Sequence, residues 1–183
     1  MKKLAIAASL IAVFGTVGLA QAASTGTITF NGELTANTCD VVVDGQQADA
    51  TVILPTVSTS QLQAATRTAG DTGFVMALSN CAGTLETASA FFQAGASVDA
   101  VTGRLLNTAG GAGATNVSLQ LLDASSPTQA VIKAGSQDQV TAMTYQDVTG
   151  GSATLPYIVR YYAEDATTAG KVVSSVVYSI QYQ

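Results

Sequence analysis

Apolar and polar residues alternate along this chain in short pieces, each bounded by Gly, Asn, Asp or Ser, and no segment after the N-terminal apolar run sustains a helical period. A period of two puts successive side chains on opposite faces of a strand, so the pattern predicts an all-β fold. The candidate strands are Gly26 to Ala36, Ala50 to Leu54, Gly73 to Ser79, Ala88 to Gln93, Ala114 to Asp123, Leu155 to Glu164 and Lys171 to Tyr182. Seven or so strands at this spacing imply a β-sandwich. Val117, Leu119 and Leu121 alternate with Ser118 and Gln120, which predicts one core edge and one wet edge for that strand. Ser58 to Thr68 has room for a turn or two of helix, against the preference of its Ser and Thr. The cluster Gly110, Gly111, Gly113 reads as a flexible loop, because neither a GK[ST] nor a helix signal follows it to make a phosphate site.

The N-terminus sets the compartment. Lys2 and Lys3 precede an uncharged apolar run from Leu4 to Leu19 and the triplet Ala20, Gln21, Ala22, a secretory signal peptide over residues 1–22. A membrane anchor is the competing reading, but the run is short, rich in Ala and Gly, and lacks a basic stop-transfer flank. Cleavage is expected after Ala22, with Ala23 as the next site. The remaining 161 of the 183 residues suit one domain. Without Lys2 and Lys3, five basic residues face twelve acidic ones, a formal charge of −7 that argues against nucleic acid as a partner. Only 10% of residues are charged while 48% are hydrophobic, which suggests faces covered by neighbours. Export to an oxidising space makes a disulfide between Cys39 and Cys81 the expected state, with two free thiols as the alternative. By the loop-entropy model such a bond contributes about 4 kcal/mol.

Residues for catalysis are scarce. The chain has no histidine, which removes the commonest general base, triad partner and metal ligand together. Glu164 and Asp165 are adjacent, but they sit at the mouth of a turn where acidic side chains usually face water, and nothing else suggests a sugar cleft. With both cysteines committed, no zinc or nucleophile set remains. The expectation is a protein that is not an enzyme and carries no metal or cofactor.

The last candidate strand is the informative one. Val172, Val176, Tyr178, Ile180 and Tyr182 hold every second position except for Ser174, giving a one-sided apolar strand. Alternation alone fits an ordinary core edge strand. Two flanking features add to it: Gly170, fourteenth from the end, and the penultimate Tyr182. Together they resemble the C-terminal motif of chaperone-usher pilins. The resemblance extends to Gly26, Ile28 and Phe30, to the spacing of Cys39 and Cys81, to Ala114, Thr115, Asn116 and Val117 leading into a strand ending Leu122, Asp123, and to Leu155, Pro156, Tyr157 with Arg160, Tyr161, Tyr162. Among that family it is most similar to the shaft subunits of type 1 fimbriae.

This resemblance implies an incomplete immunoglobulin-like sandwich over residues 33–183, open along a groove, with a donor-strand extension at residues 23–32. The groove strand would be Gly170, Val172, Val176, Tyr178, Ile180 and Tyr182. Gly26, Ile28 and Phe30 would enter the groove of another subunit while Thr25, Thr27 and Thr29 face outward. The implied partners are identical or related pilins in a homopolymer, a periplasmic chaperone and an outer-membrane usher. The implied location is a cell-surface fimbrium that supports adhesion, reached through the periplasm. Burying Ile28 and Phe30 would contribute about 1.5–3 kcal/mol each, before ordering costs. Other classes fit less well. A tip adhesin would add a lectin domain, a self-contained secreted β-sandwich binding module would carry its own closing strand, and a periplasmic chaperone would have two domains. Minor, adaptor and terminator subunits share the motif and stay open.

Overall fold

The computed structural model describes residues 26–32, 34, 36 and 38–183. The proposed signal peptide and its cleavage site lie outside the described residues. The chain divides into two units between Leu34 and Thr35. In the first, residues 26–32 carry no ladder, and Ile28 and Phe30 are 78% and 88% exposed.

The second unit is a sandwich of antiparallel strands. These are β1 (Thr38–Val43), β2 (Thr68–Ala82), β3 (Thr87–Phe92), β4 (Leu105–Leu106), β5 (Val117–Asp123), β6 (Val131–Ile132), β7 (Gln146–Asp147), β8 (Ala153–Ala163) and β9 (Tyr178–Tyr182). One sheet runs β1-β2-β8-β5-β4, and β6 shares the outer side of β5 with β4. The other runs β7-β3-β9. Among the described residues, helix is confined to short turns at Thr59–Leu62, Gly110–Ala112 and α1 (Gln139–Ala142). The first falls inside the helical stretch expected from Ser58. The second converts the expected flexible glycine loop into a 3₁₀ turn.

The core follows the period of two. Phe74, Met76 and Leu78 of β2, Leu155, Tyr157 and Val159 of β8, and Leu119 and Leu121 of β5 face Ala88, Ala90 and Phe92 of β3. The small alanines leave room for Tyr157, whose ring meets Phe92 edge-on at 5.1 Å and lies 5.6 Å from Phe74. Tyr157 and Gln139 also finish one edge of the second sheet. β7 covers β3 only at Thr87 and Ala88. Beyond it, the Ala90 amide donates to the Tyr157 hydroxyl at 3.0 Å and the Phe92 amide donates to Gln139 Oε1 at 2.9 Å. A glutamine only 3% exposed is tolerable because its amide also donates to the Phe92 and Ser136 carbonyls.

Four expectations are corrected. β1 was not foreseen, since its apolar run Val41–Val43 lacks alternation, while Ala50–Leu54 is extended without a ladder. The supposed wet edge of β5 is covered: Ser118 and Gln120 are 2% and 6% exposed. Long side chains from β8 and the residue just after it lie over them, with Arg160 donating two hydrogen bonds to Gln120 Oε1 and Ser118 donating to Glu164. Glu164 therefore does not simply face water: Arg104 forks onto both its oxygens at 2.8 Å and lies 4.1 Å above the Tyr162 ring. Finally, the strand expected over Lys171–Tyr182 joins a ladder only from Tyr178.

Candidate functional site

β9 is an edge strand, and its register fixes which groups point off the edge. Thr87 and Gln183 exchange backbone bonds, and the Gln93 amide donates to Val177. With Ser89 opposite Gln181 and Phe91 opposite Ser179, the odd-numbered residues of this stretch bond to β3. The amides and carbonyls of Tyr178, Ile180 and Tyr182 then point away from the sheet, and among the described residues no strand pairs with them. The side chains of these same residues, with Val172 and Val176, pack against the core. The structure thus brings the five apolar residues expected of the groove strand onto one wall, Tyr178, Ile180 and Tyr182 with an open row of backbone groups beside them.

Among the described residues, the first half of that wall has no strand behind it. Residues 171–175 are held by the segment 107–114 and by Ser97. The Lys171 amide donates to the Ala112 carbonyl and the Ala114 amide to the Lys171 carbonyl. Thr108 donates to the Val173 carbonyl through both its amide and its hydroxyl, and Ser97 Oγ donates to the Ser175 carbonyl at 2.6 Å. Gly170 is where the two segments touch. A Cβ there would fall on the backbone of Gly113 and Ala114, so this position requires glycine. Ser174, the break in the apolar series, keeps a buried hydroxyl with no hydrogen-bond partner.

The opposite wall is β1 and the extended chain that follows it. The Tyr178 hydroxyl donates to the Ala48 carbonyl at 2.8 Å, and the Tyr161 hydroxyl donates to Pro55 at 3.2 Å. Val52 and Leu54 pack on the same core as Val176 and Ile180. Thr56 and Val57 face Gly170, Lys171, Val172 and Val173 across a cleft of about 630 Å³ that also reaches Leu62, Val117 and Tyr161. A smaller cavity of about 260 Å³ at the far end touches the Cys39–Cys81 disulfide and Tyr182. The two walls therefore run antiparallel, Cys39 near Tyr182, Ala48 near Tyr178, and Val57 near Val172. Tyrosine side chains reach across the gap, where a β-ladder is absent among the described residues.

Burial in this gap raises both tyrosine hydroxyls above their ordinary pKa, with the Asp49 charge adding to the effect at Tyr178. At Tyr182 a backbone hydrogen bond from Cys39 opposes it. Both phenols stay neutral and act as hydrogen-bonding posts at neutral pH. The groove is lined by apolar side chains together with the hydroxyls of Thr56, Ser58, Thr59, Thr167, Thr168 and Tyr161 and the Lys171 side chain, and Glu164 is bound by Arg104 and Ser118. Among the described residues no three His, Cys, Asp or Glu side chains cluster as metal ligands.

The groove's second wall and the bracket at Asn107, Thr108 and Ser97 escaped the sequence reading. An asparagine just ahead of a glycine cluster was the available signal. Gly26, Ile28 and Phe30 lie in the other unit.

The family model for type-1 fimbrial protein A matches residues 54–183, both groove walls beyond Leu54 included. The chain belongs to the type-1 fimbrial protein family. It is 45% identical to the major fimbrial subunit SMF-1 of Stenotrophomonas maltophilia, over 90% of this chain and 96% of that one. It is 35% identical to an F17 fimbrial protein of Escherichia coli, over 93% and 97%. A type I fimbria protein of Burkholderia pseudomallei has a similar structure, with 25% identity, a TM-score of 0.53, and coverage of 81% of this chain and 97% of that one. The fold is also that of a chaperone-usher pilus subunit, with a TM-score of 0.60 at 20% identity over 88% and 98%. This fimbrial protein is accordingly a structural subunit of a surface fimbrium and not an enzyme.

Proposed function

We propose that the groove takes a strand from another subunit, and that residues 23–32 are the strand this subunit gives to its neighbour. The observation that carries the reading is the outer row of backbone groups on Tyr178, Ile180 and Tyr182, with which no strand pairs among the described residues, lying directly above apolar side chains of the core. The opposite edge of the same sheet is finished by Tyr157 and Gln139. Leaving one edge open costs stability unless something covers it, because unpaired backbone groups beside a core are lost to water. From Val172 to Tyr182 the wall offers about 33 Å, the length of a ten-residue strand. Residues 23–32 have that length, contain no charge, and place Gly26, Ile28 and Phe30 on one face.

In this scheme residues 1–22 direct export and are removed. A periplasmic chaperone then fills the groove with a strand of its own, and an outer-membrane usher is where the neighbour's extension replaces it. Polymerisation and completion of the fold become one event.

The test is thermal melting of the mature subunit with and without a peptide of residues 23–32. The expected result is a rise of about 10 °C or more, since each kcal/mol is worth roughly 2–4 °C in a domain of this size. A peptide carrying Gly26→Leu should associate more slowly. An unchanged melting temperature would leave the domain as a self-contained sandwich and remove the reading.

A further inference from the structure

We infer that Asn107 is a positioning residue for strand uptake: its side chain stands in for a missing β-strand and builds the first half of the groove wall. This rests on the strand-uptake reading above. An asparagine amide has two donor hydrogens and an oxygen with two lone pairs, and Asn107 uses all four. Nδ2 donates to the Ala114 and Lys171 carbonyls, both at 2.9 Å. Oδ1 accepts from the Ala109 amide at 3.1 Å and from the Val173 amide at 2.9 Å. Two of these bonds shape the loop, and the other two hold the wall.

The register shows why this matters for the incoming strand. Lys171, Val173 and Ser175 turn their inner backbone groups toward Asn107, Thr108 and Ser97, as Val177 and Gln183 turn theirs toward β3. Only with the odd-numbered groups held in this way do the even-numbered groups of Val172, Ser174 and Val176 face the gap in line with those of Tyr178, Ile180 and Tyr182. The glycine cluster fits the same device. A Cβ on Gly113 would press on the Gly110 carbonyl, Ala109 and Asn107 Nδ2, so glycine lets the loop close tightly around the amide.

The test is amide hydrogen exchange read residue by residue in assembled fimbriae by solid-state NMR, comparing the natural subunit with Asn107→Asp. The variant removes both donors and sets a carboxylate against two carbonyls. The natural fimbria should protect the even-numbered amides from Val172 to Tyr182. In the variant, exchange at Val172, Ser174 and Val176 should quicken about tenfold or more while Tyr178, Ile180 and Tyr182 stay protected. A merely structural role would quicken both halves alike, and that result, or no change, overturns the proposal. Unprotected even-numbered amides throughout the natural fimbria would instead overturn strand uptake itself, and this inference with it. Should Asn107→Asp yield no fimbriae, Thr108→Val removes one bond to Val173 and is read in the same way. A selective rise at the first three amides supports the inference, and a uniform rise or none ends it.

Discussion

Two glycines of this fimbrial subunit have opposite surroundings. Gly170 lies against the backbone of Gly113 and Ala114, where a methyl group has no space, whereas a Cβ on Gly26 meets nothing within 4 Å. Forcing an extra carbon into a filled site costs about 1–3 kcal/mol. Gly170→Ala should therefore lower the melting temperature of the isolated subunit by about 2–12 °C, at roughly 2–4 °C per kcal/mol. Gly26→Ala should leave that temperature unchanged and show its effect only when subunits join. Calorimetry of the two variants side by side checks both statements, and equal losses would mean that Gly26 already serves the fold of the isolated chain. Both glycines are among the residues by which the sequence resembles chaperone-usher pilins. The reason for Gly170, a contact with a loop some 57 positions away, becomes visible only in three dimensions.

Strands β5 and β8 show how a polar face can be dry. Glu164 is bound by Arg104 and Ser118 over the buried outer face of β5. Burial alone would raise its carboxyl pKa. The hydrogen bonds from Arg104 and Ser118 outweigh burial and hold it below the ordinary 4.5. A carboxyl whose folded pKa is depressed adds stability at pH values above the ordinary carboxylate range. That stability fades as pH falls through the ordinary value and is gone below the depressed one. The melting temperature of Glu164→Gln should thus lie below that of the natural subunit at neutral pH, by a small margin because the group is partly exposed, and the two should converge in acid. Melting curves across the acid range decide this; a gap that stays constant would mean the loss comes from packing. Sequence alternation places Val117, Leu119 and Leu121 in the core correctly. It misses the burial of Ser118 and Gln120, because the side chains that bond them, Glu164 and Arg160, lie on β8 or just past its end. It also misses β1, a strand without alternation held at the sheet edge by β2 and by the Cys39–Cys81 bond.

At the scale of the whole subunit, the sandwich was legible because it depends on local pattern, while the last strand, expected from Lys171, joins a ladder only from Tyr178. The groove was legible only through family resemblance, since it is a gap between segments some 130 positions apart, as the bond from Tyr178 to Ala48 shows. One covalent bond governs the far end of that gap. Among the described residues β1 pairs only with β2, so its inner half is anchored by the ladder and its start by Cys39. The chain from Ala48 to Val57 that forms the second groove wall continues from β1. Removing the bond with Cys39→Ala and Cys81→Ala frees a loop of 42 residues in the unfolded chain, which the entropy model values at about 4 kcal/mol. A domain that leaves one sheet edge open starts near the lower end of the usual 5–15 kcal/mol, so the variant is expected close to its unfolding threshold. Denaturant titration of the isolated subunit should show the midpoint collapse, and the peptide of residues 23–32 should restore much of it by mass action on the folded form. A variant that loses stability but gains nothing from the peptide would show that β1 itself has detached, taking with it the wall on which the incoming strand depends.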